Sequence, residues 1–312
     1  MTQRVTPASS GAQHDSGSVA TLVRSHGGVS ANFFQHFEHF PFVAISISHP
    51  GLILQRYQRD LDICQGICKM FHPDSYRYTQ MKRILLISNS TLHGSGYLDH
   101  AEAEIRSFLG DLKRVLFVPF ALYDRDKYAA TAQQRFARMG YELSSIHTAT
   151  NPKQAIDETD AIFIGGGNTF RLLKTLYDLD LLGPIRERVE AGMPYVGSSA
   201  GSNVAGPTIR TTNDMPIVQP PSFDALGLVS FQLNPHYLDP DPNSKHMGET
   251  REERIVQFLE ENDTPVVGLR EGAMLRIENG ETILRGSTGA RVFRKGFEPL
   301  ETFPGANLNS FL

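Results

Sequence analysis

From Arg83 onward the chain alternates short, wholly apolar runs with longer stretches in which apolar residues recur every three or four positions. Arg83-Ile84-Leu85-Leu86-Ile87-Ser88, Val115-Leu116-Phe117-Val118 and Ala161-Ile162-Phe163-Ile164 have the length and content of strands buried on both faces of a parallel sheet. Leu143 to His147, Pro194-Tyr195-Val196, a stretch near Val229 to Leu233 and Val266-Val267-Gly268-Leu269 read the same way. Between them the pattern predicts helices over Leu98 to Leu112, Lys127 to Met139, Pro152 to Glu158 and Phe170 to Tyr177, and again from Ala200 to Ala205. A further helix runs from Thr250 to Glu260: Thr250 and Glu253 form a capping box, and Ile255, Phe258 and Leu259 make its apolar face. Ala273 to Ile277 and Thr282 to Leu284 flank Asn279-Gly280, and with Val292-Phe293 they predict an antiparallel hairpin finish. Strands alternating with helices imply βαβ units, hence an α/β fold with a mostly parallel sheet and helices on both faces.

Residues 1–80 have no such period; Ser, His, Gly and Phe are scattered through them. They read as an N-terminal extension that is disordered or not native, and 81–312 as a single α/β domain. Met81 stands one step before the first strand, so translation is expected to begin there. The alternative is a disordered or targeting segment, which the acid-poor first forty residues with Arg4 and Arg24 allow.

Composition narrows the function. Forty per cent hydrophobic and 21% charged residues in 312 describe an ordinary globular protein with a substantial core. A formal charge of −4 offers no basic field for nucleic acid. Phe42 to Leu54, the most apolar early stretch, is broken by His49, Pro50 and Gly51 and is too short to span a bilayer. The two cysteines, Cys64 and Cys68, both precede the patterned region and fit no zinc spacing. A cytoplasmic protein with no nucleic-acid or membrane partner is the expectation.

The chemistry centres on Gly197-Ser198-Ser199-Ala200-Gly201, a Gly-x-Ser-x-Gly string between a strand and a helix. In that setting the serine is forced into a tight bend with its hydroxyl exposed, and flanking glycines admit the turn. Ser199 is thus the candidate nucleophile. A serine hydroxyl near neutral pH needs a base and an oxyanion site. His236, in Asn234-Pro235-His236, closes a strand at the edge where open α/β sheets build their sites. Gly165-Gly166-Gly167-Asn168-Thr169 follows a strand and opens a helix, so the N–H groups of Gly166 and Gly167, with that of Ala200, are expected to face the oxyanion. As a nucleotide loop the same glycines fail, because Phe170 replaces the third glycine and no Gly-Lys-Ser/Thr follows. The carboxylate that orients the imidazole is Asp214 or Glu271. Position along the strands favours Glu271, which follows Leu269 and emerges at the sheet edge expected for Ser199 and His236.

Seven strings together carry a resemblance: Ser88-Asn89-Ser90-Thr91, Gly165 to Phe170, Gly197 to Asn203, Thr208 to Pro216, Phe223-Asp224-Ala225-Leu226, Asn234-Pro235-His236 and Gly248 to Glu252. They are similar to peptidase E, the α-aspartyl dipeptidase family, and the likeness spans essentially all of 81–312. The resemblance implies a class I glutamine amidotransferase-like fold with serine in place of the cysteine nucleophile. It places Ser199 as nucleophile and His236 as general base, and matches both Asp214 and Glu271 to positions proposed for the acid. It implies hydrolysis of small Asp-X dipeptides through an acyl-enzyme by a monomer or homodimer, with no metal and no cofactor. Selecting aspartate calls for a cation, and Arg210, inside the shared string between nucleophile and base, is the first candidate. The extension has no counterpart in the family, and Ser198 stands where some members carry Trp. A scaffold that binds without catalysis, or a serine peptidase of another acidic polymer or isopeptide, are the rival readings.

Overall fold

The computed structural model describes residues 82–312, apart from 242 and 244–246, and the backbone of Val19–Ser25 and Gly28–Phe34. Those two stretches, β1 and β2, pair antiparallel within a unit that ends at Arg77; Tyr78–Leu312 is a second unit. Cys64, Cys68, Met81 and the expectations attached to the rest of the extension lie outside the described residues.

In the second unit the chain runs β3 (Ile84–Ile87), α1 (Glu102–Leu109), β4 (Arg114–Val118), α2 (Arg125–Arg138), β5 (Glu142–Ser145), α3 (Pro152–Asp157) and β6 (Ala161–Ile164). It continues with α4 (Thr169–Asp178), α5 (Leu182–Glu190), β7 (Tyr195–Ser198), α6 (Ala200–Asn203), β8 (Gln232–Pro235), α7 (Arg251–Glu261) and β9 (Val266–Leu269). The finish is β10 (Ala273–Glu278), β11 (Glu281–Gly286), β12 (Ala290–Phe293) and β13 (Leu300–Thr302). Strands β3-β7-β6-β4-β5 lie parallel in that order, and the β10–β11 hairpin adds antiparallel to β3. Asn279 and Gly280 close the hairpin with φ of 55° and 77°, the left-handed pair that a two-residue turn between twisted strands requires.

Alternation along β3 shows how the larger sheet is covered. Ile84 and Leu86 join Leu172 and Leu176 of α4 and Ile185 and Val189 of α5 in one cluster. Leu85 and Ile87 join Ile105 and Phe108 of α1 and Tyr128 and Phe136 of α2 on the other face. The class is the expected one, α/β with helices on both faces. Each fully buried Leu or Ile in these clusters contributes about 1.5–3 kcal/mol of transfer free energy.

Three features depart from the pattern. The strands of this unit form two sheets, because β8 pairs parallel with β9, β9 antiparallel with β12 and β12 antiparallel with β13, apart from the larger sheet. Helix α5 is not predicted, since Gly183-Pro184 reads as a break; both residues fall in its first turn, where a missing N–H costs nothing. Strand β8 begins three residues later than the apolar run suggests, because its buried Gln232 and Asn234 are polar. Gln232 donates to Thr208 and Asn234 to the Thr211 carbonyl, so both hold the 208–214 loop.

Parallel register places the carboxyl ends together: Ile87 pairs with Ser198, Ile164 with Gly197, and Pro235 with Leu269. The loops after β3 and β6 and the bend after β7 therefore leave one edge of the larger sheet, while the chain after β8 and β9 leaves one edge of the smaller. The helix after β7 sits so close to β6 that a Cβ at Gly201 would collide with the Ile164 carbonyl. Gly201→Ala is therefore expected to lower the unfolding free energy by about 3 kcal/mol, the upper end of overpacking costs, read from the urea midpoint. An unchanged midpoint would contradict this packing.

Candidate active site

Strand β7 ends at Ser198 and the chain turns at once into α6. The residue at the bend, Ser199, has φ 53° and ψ −109°. A non-glycine residue held there stores about 1–3 kcal/mol of strain. Neighbouring contacts enforce it: Ser199 N–H donates to the Ile87 carbonyl at 2.9 Å, and the Tyr195 hydroxyl donates to the Gly201 carbonyl at 2.5 Å. A side chain on Gly197 would come within 2.5 Å of that same carbonyl oxygen.

Strand β8 delivers His236, also at positive φ, 54°. Its Nε2 lies 2.9 Å from Ser199 Oγ, and its Nδ1 lies 2.7 Å from Glu271 Oε1. Glu271 stands two residues beyond β9, beside His236 because β8 and β9 are in parallel register. A hydroxyl, an imidazole and a carboxylate thus stand in line, an arrangement able to draw a proton off the hydroxyl and stabilise the imidazolium that results.

Asp214 is placed elsewhere. Its Oδ2 accepts from Thr169 N–H at 2.7 Å and Thr169 Oγ1 at 2.6 Å, with Thr212 Oγ1 at 3.3 Å. It caps the positive end of α4 and makes no hydrogen bond or ion pair with His236, so of the two candidate carboxylates only Glu271 bonds the imidazole.

The glycine loop does close on the bend, since a Cβ at Gly166 would lie 3.0 Å from Ser199 Cβ. Gly167, at φ 131°, presses on the Ala121 carbonyl. The N–H groups of Gly167 and Ala200 have no acceptor among the described residues. That of Gly166 lies beside the Tyr128 hydroxyl, whose pKa is raised by burial and partly drawn back by hydrogen bonds from Tyr97, this N–H and Ser90. Arg210 is exposed; its guanidinium lies 5.3 Å over the Phe223 ring, which meets Phe170 edge-on.

Four supporting residues carried no role in the sequence reading. Ser88 Oγ donates to the Leu269 carbonyl at 2.9 Å and accepts from His236 N–H at 3.0 Å. Asn89 Oδ1 accepts from Gly272 N–H at 2.9 Å, fixing the turn that carries Glu271. Asn213 Nδ2 donates to the Pro235 carbonyl at 2.7 Å, one residue before the imidazole. Arg251, first in α7, is half-buried, and its pKa is lowered by desolvation and by Arg254, against the pull of Asp214. Among the described residues no carboxylate lies within salt-bridge distance of it. The signal for all four was their place in the shared strings, next to a strand end or a loop anchor.

Among the described residues no three His, Cys, Asp or Glu side chains are grouped to hold a metal ion, and no helix is long and apolar enough to cross a membrane. Comparison with known proteins now bears on this geometry. The description "Peptidase family S51" matches residues 84–285. A Streptomyces coelicolor protein named peptidase E is 53% identical over 229 residues, 73% of this chain and 94% of its own. The chain belongs to peptidase family S51. It is a serine-type dipeptidase of that family. A Drosophila melanogaster S51 relative, named "Probable alpha-aspartyl dipeptidase", is 49% identical over 74% of this chain and 98% of its own. A similar fold is seen in a crystal structure of a peptidase from an acI-B1 Actinobacterium, with a TM-score of 0.56 at 17% identity over 75% of this chain and 98% of that one.

Removing the Ser88 hydroxyl leaves the His236 N–H without its partner, while the Leu269 carbonyl keeps only the Tyr237 N–H. Ser88→Ala is expected to lower stability by about 1–3 kcal/mol and to slow turnover of a dipeptide substrate, with urea unfolding and kcat as the two readouts. Full kcat in this variant would show that His236 is held by other means.

Proposed function

We propose that the chain hydrolyses dipeptides bearing an N-terminal aspartate through an acyl-enzyme on Ser199. The observation that carries the mechanism is the Ser199–His236–Glu271 line, with spacings of 2.9 and 2.7 Å. Ser199 Oγ attacks the peptide carbonyl and His236 Nε2 takes its proton. Glu271 holds the opposite ring nitrogen as the donor and stabilises the imidazolium. The N–H groups of Gly167 and Ala200, pointing off the glycine loop and the start of α6, receive the oxyanion; Gly166, beside Tyr128, holds the loop in place. The imidazolium returns its proton to the leaving amine, and water attacks the aspartyl ester by the same route in reverse.

The aspartate preference rests on the α-aspartyl wording of the Drosophila relative's name and on a cation free to receive a carboxylate. Arg210 was the first candidate, but it is exposed and lies over Phe223. Arg251 has the better claim, being desolvated, unpaired among the described residues and close enough to Asp214 to feel its charge. Asp214 in turn is bonded to Thr169, next to the glycine loop. A cytoplasmic setting completes the reading, for which the two cysteines in 312 residues are the support.

Ser199→Ala is expected to lower kcat by about 10⁶-fold and to abolish labelling by a serine-directed phosphonate. Glu271→Ala is expected to lower kcat by about 10⁴-fold, while Asp214→Ala chiefly lowers stability through the lost α4 cap. Turnover undiminished in Ser199→Ala or Glu271→Ala would defeat the mechanism.

For specificity, Arg251→Ala is expected to reduce the preference for Asp-Leu over Ala-Leu about 100-fold, and Arg210→Ala to leave it within about twofold. The reverse pattern, measured as a ratio of kcat/KM values, would return the role to Arg210.

A further inference from the structure

The backbone ladder between β8 and β9 ends at the Pro235–Leu269 pair, one residue short of His236 and two short of Glu271. Past it the Tyr237 N–H donates to the Leu269 carbonyl at 2.9 Å, and there the two strands part. The side chains of His236 and Glu271 are about half exposed, and the bond to Nδ1 is the one side-chain hydrogen bond that Glu271 makes among the described residues. Burial therefore does not aim this carboxylate; the chain that carries it must.

Arg270, between Leu269 and Glu271, bridges the opening. Its Nε and Nη2 donate to Asp239 Oδ2 and Oδ1, both at 2.7 Å, and its Nη1 and Nη2 donate to Glu301 Oε1 and Oε2 at 2.6 and 2.8 Å. Asp239 is three residues beyond His236, and Glu301 lies in β13, an edge strand of the smaller sheet. The guanidinium thus joins the two departing chains to each other and to a strand of their own sheet. Its Cζ lies 5.8 Å over the Tyr237 ring, which occupies the space that a Cβ at Gly268 would need. Gly289 leaves room for the fork, since a Cβ there would lie 3.2 Å from both Arg270 Nη1 and Glu301 Oε1. A planar double fork fixes direction as well as distance, which a lysine cannot do.

The same bonds keep Arg270 away from Glu271. A guanidinium with a free edge beside that acid would compete with the imidazole for it. Here all three nitrogens of Arg270 are engaged by two other carboxylates, which leaves the group net negative. The bonds from Arg270 hold the Asp239 carboxyl below its usual range, with burial opposing them. Arg291 does not substitute: it lies 3.9 Å from Asp239 and from Glu301, and gives its 2.6 Å bond to Glu252.

We propose that Arg270 is a positioning residue: by clamping Asp239 and Glu301 it fixes the chain on both sides of the His236–Glu271 contact and leaves Glu271 to meet Nδ1. Without the clamp the strand ends separate beyond the ladder, and a small misplacement of the acid is costly in rate.

The role rests on the Ser199–His236–Glu271 mechanism, and a double-mutant cycle separates the two. Arg270→Met, Glu271→Ala and the double variant of the full chain are assayed with Asp-Leu and timed for labelling by a serine-directed phosphonate, alongside urea unfolding. Arg270→Met is expected to lower kcat about tenfold with KM within about twofold, and to slow labelling to a similar degree. Asp239→Asn, which weakens the same fork from the other side, is expected to lower kcat less and to add under about twofold once Arg270→Met is present. In the Glu271→Ala background, Arg270→Met is expected to change kcat by less than about twofold. Arg270→Lys keeps the charge without the fork; it is expected to hold the urea midpoint while kcat stays at least about threefold down, and it serves in the cycle where Arg270→Met is insoluble. Equal fold-losses in both Glu271 backgrounds, or lower stability with kcat and labelling intact, would overturn the positioning role. An active Glu271→Ala variant would instead overturn the mechanism itself, leaving the two failures distinguishable.

Discussion

The site depends on one hydroxyl at the junction of two sheets. Ser199 belongs to the larger sheet through β7, whereas His236 and Glu271 belong to the smaller through β8 and β9. Two sheets that share no strand have no backbone ladder to fix the distance between their edges. Ser88 supplies that link: it directly follows β3, accepts the His236 N–H and donates to the Leu269 carbonyl. Its own N–H binds Ala273, where the chain returns from β9 into β10 of the larger sheet. Together with Asn203, whose Nδ2 donates to the Leu233 carbonyl of β8 at 2.8 Å, Ser88 sets the spacing that makes the Ser199–His236 contact possible. Asn89 and Asn213 extend the same work to the Glu271 turn and to the residue before His236.

Both members of the reacting pair sit at positive φ, and neither is glycine. Strain of about 1–3 kcal/mol at each persists only where surrounding contacts over-determine the conformation. They do so here: Ser199 is wedged between Ile87, the α6 turn and the glycine loop, and His236 is held by Ser88 before it and by Tyr237 N–H on the Leu269 carbonyl after it. Relaxing either residue would rotate its side chain out of the line. The side chains of His236 and Glu271 are 40% and 46% exposed, so the line is open to solvent on one side. A bound substrate would cover that side and strengthen the pair by excluding water.

These constraints also explain what the sequence reveals. A bend that needs glycine on both sides leaves a mark in any sequence, and Gly197-x-Ser199-x-Gly201 was legible for that reason. The apolar runs fixed β6 and β9 to the residue, because a strand buried on both faces tolerates little else. Sheet membership was not legible: one parallel pair looks like another, and nothing in Val266-Val267-Gly268-Leu269 says which neighbour it will take. Position along the strands favours Glu271 over Asp214, while the resemblance matches both to the acid. Only the fold shows that one is consumed by the α4 N-terminus and the other reaches the imidazole. Ser88 and Asn89 act on the backbone groups of distant residues, which carry no residue-specific signal.

The commitment of Asp214 has a second consequence for the cation. An arginine moved out of water beside a free carboxylate pairs with it, and a paired guanidinium has little left to offer a ligand. Asp214 directs Oδ2 to Thr169 N–H and Thr169 Oγ1, so its charge is felt by Arg251 while its strongest bonds go elsewhere. Arg251 is left desolvated and uncompensated at close range, the state in which a carboxylate brought in by a substrate gains most. Arg210, exposed and stacked on Phe223, already has water and an aromatic face, and an arriving carboxylate would improve little on them. Because α4 begins at Thr169, directly after the glycine loop, the same carboxylate that leaves Arg251 unpaired also steadies the loop that closes on Ser199. On the proposed reading, substrate selection and oxyanion geometry are coupled through Asp214, which is bonded to Thr169 rather than to the imidazole.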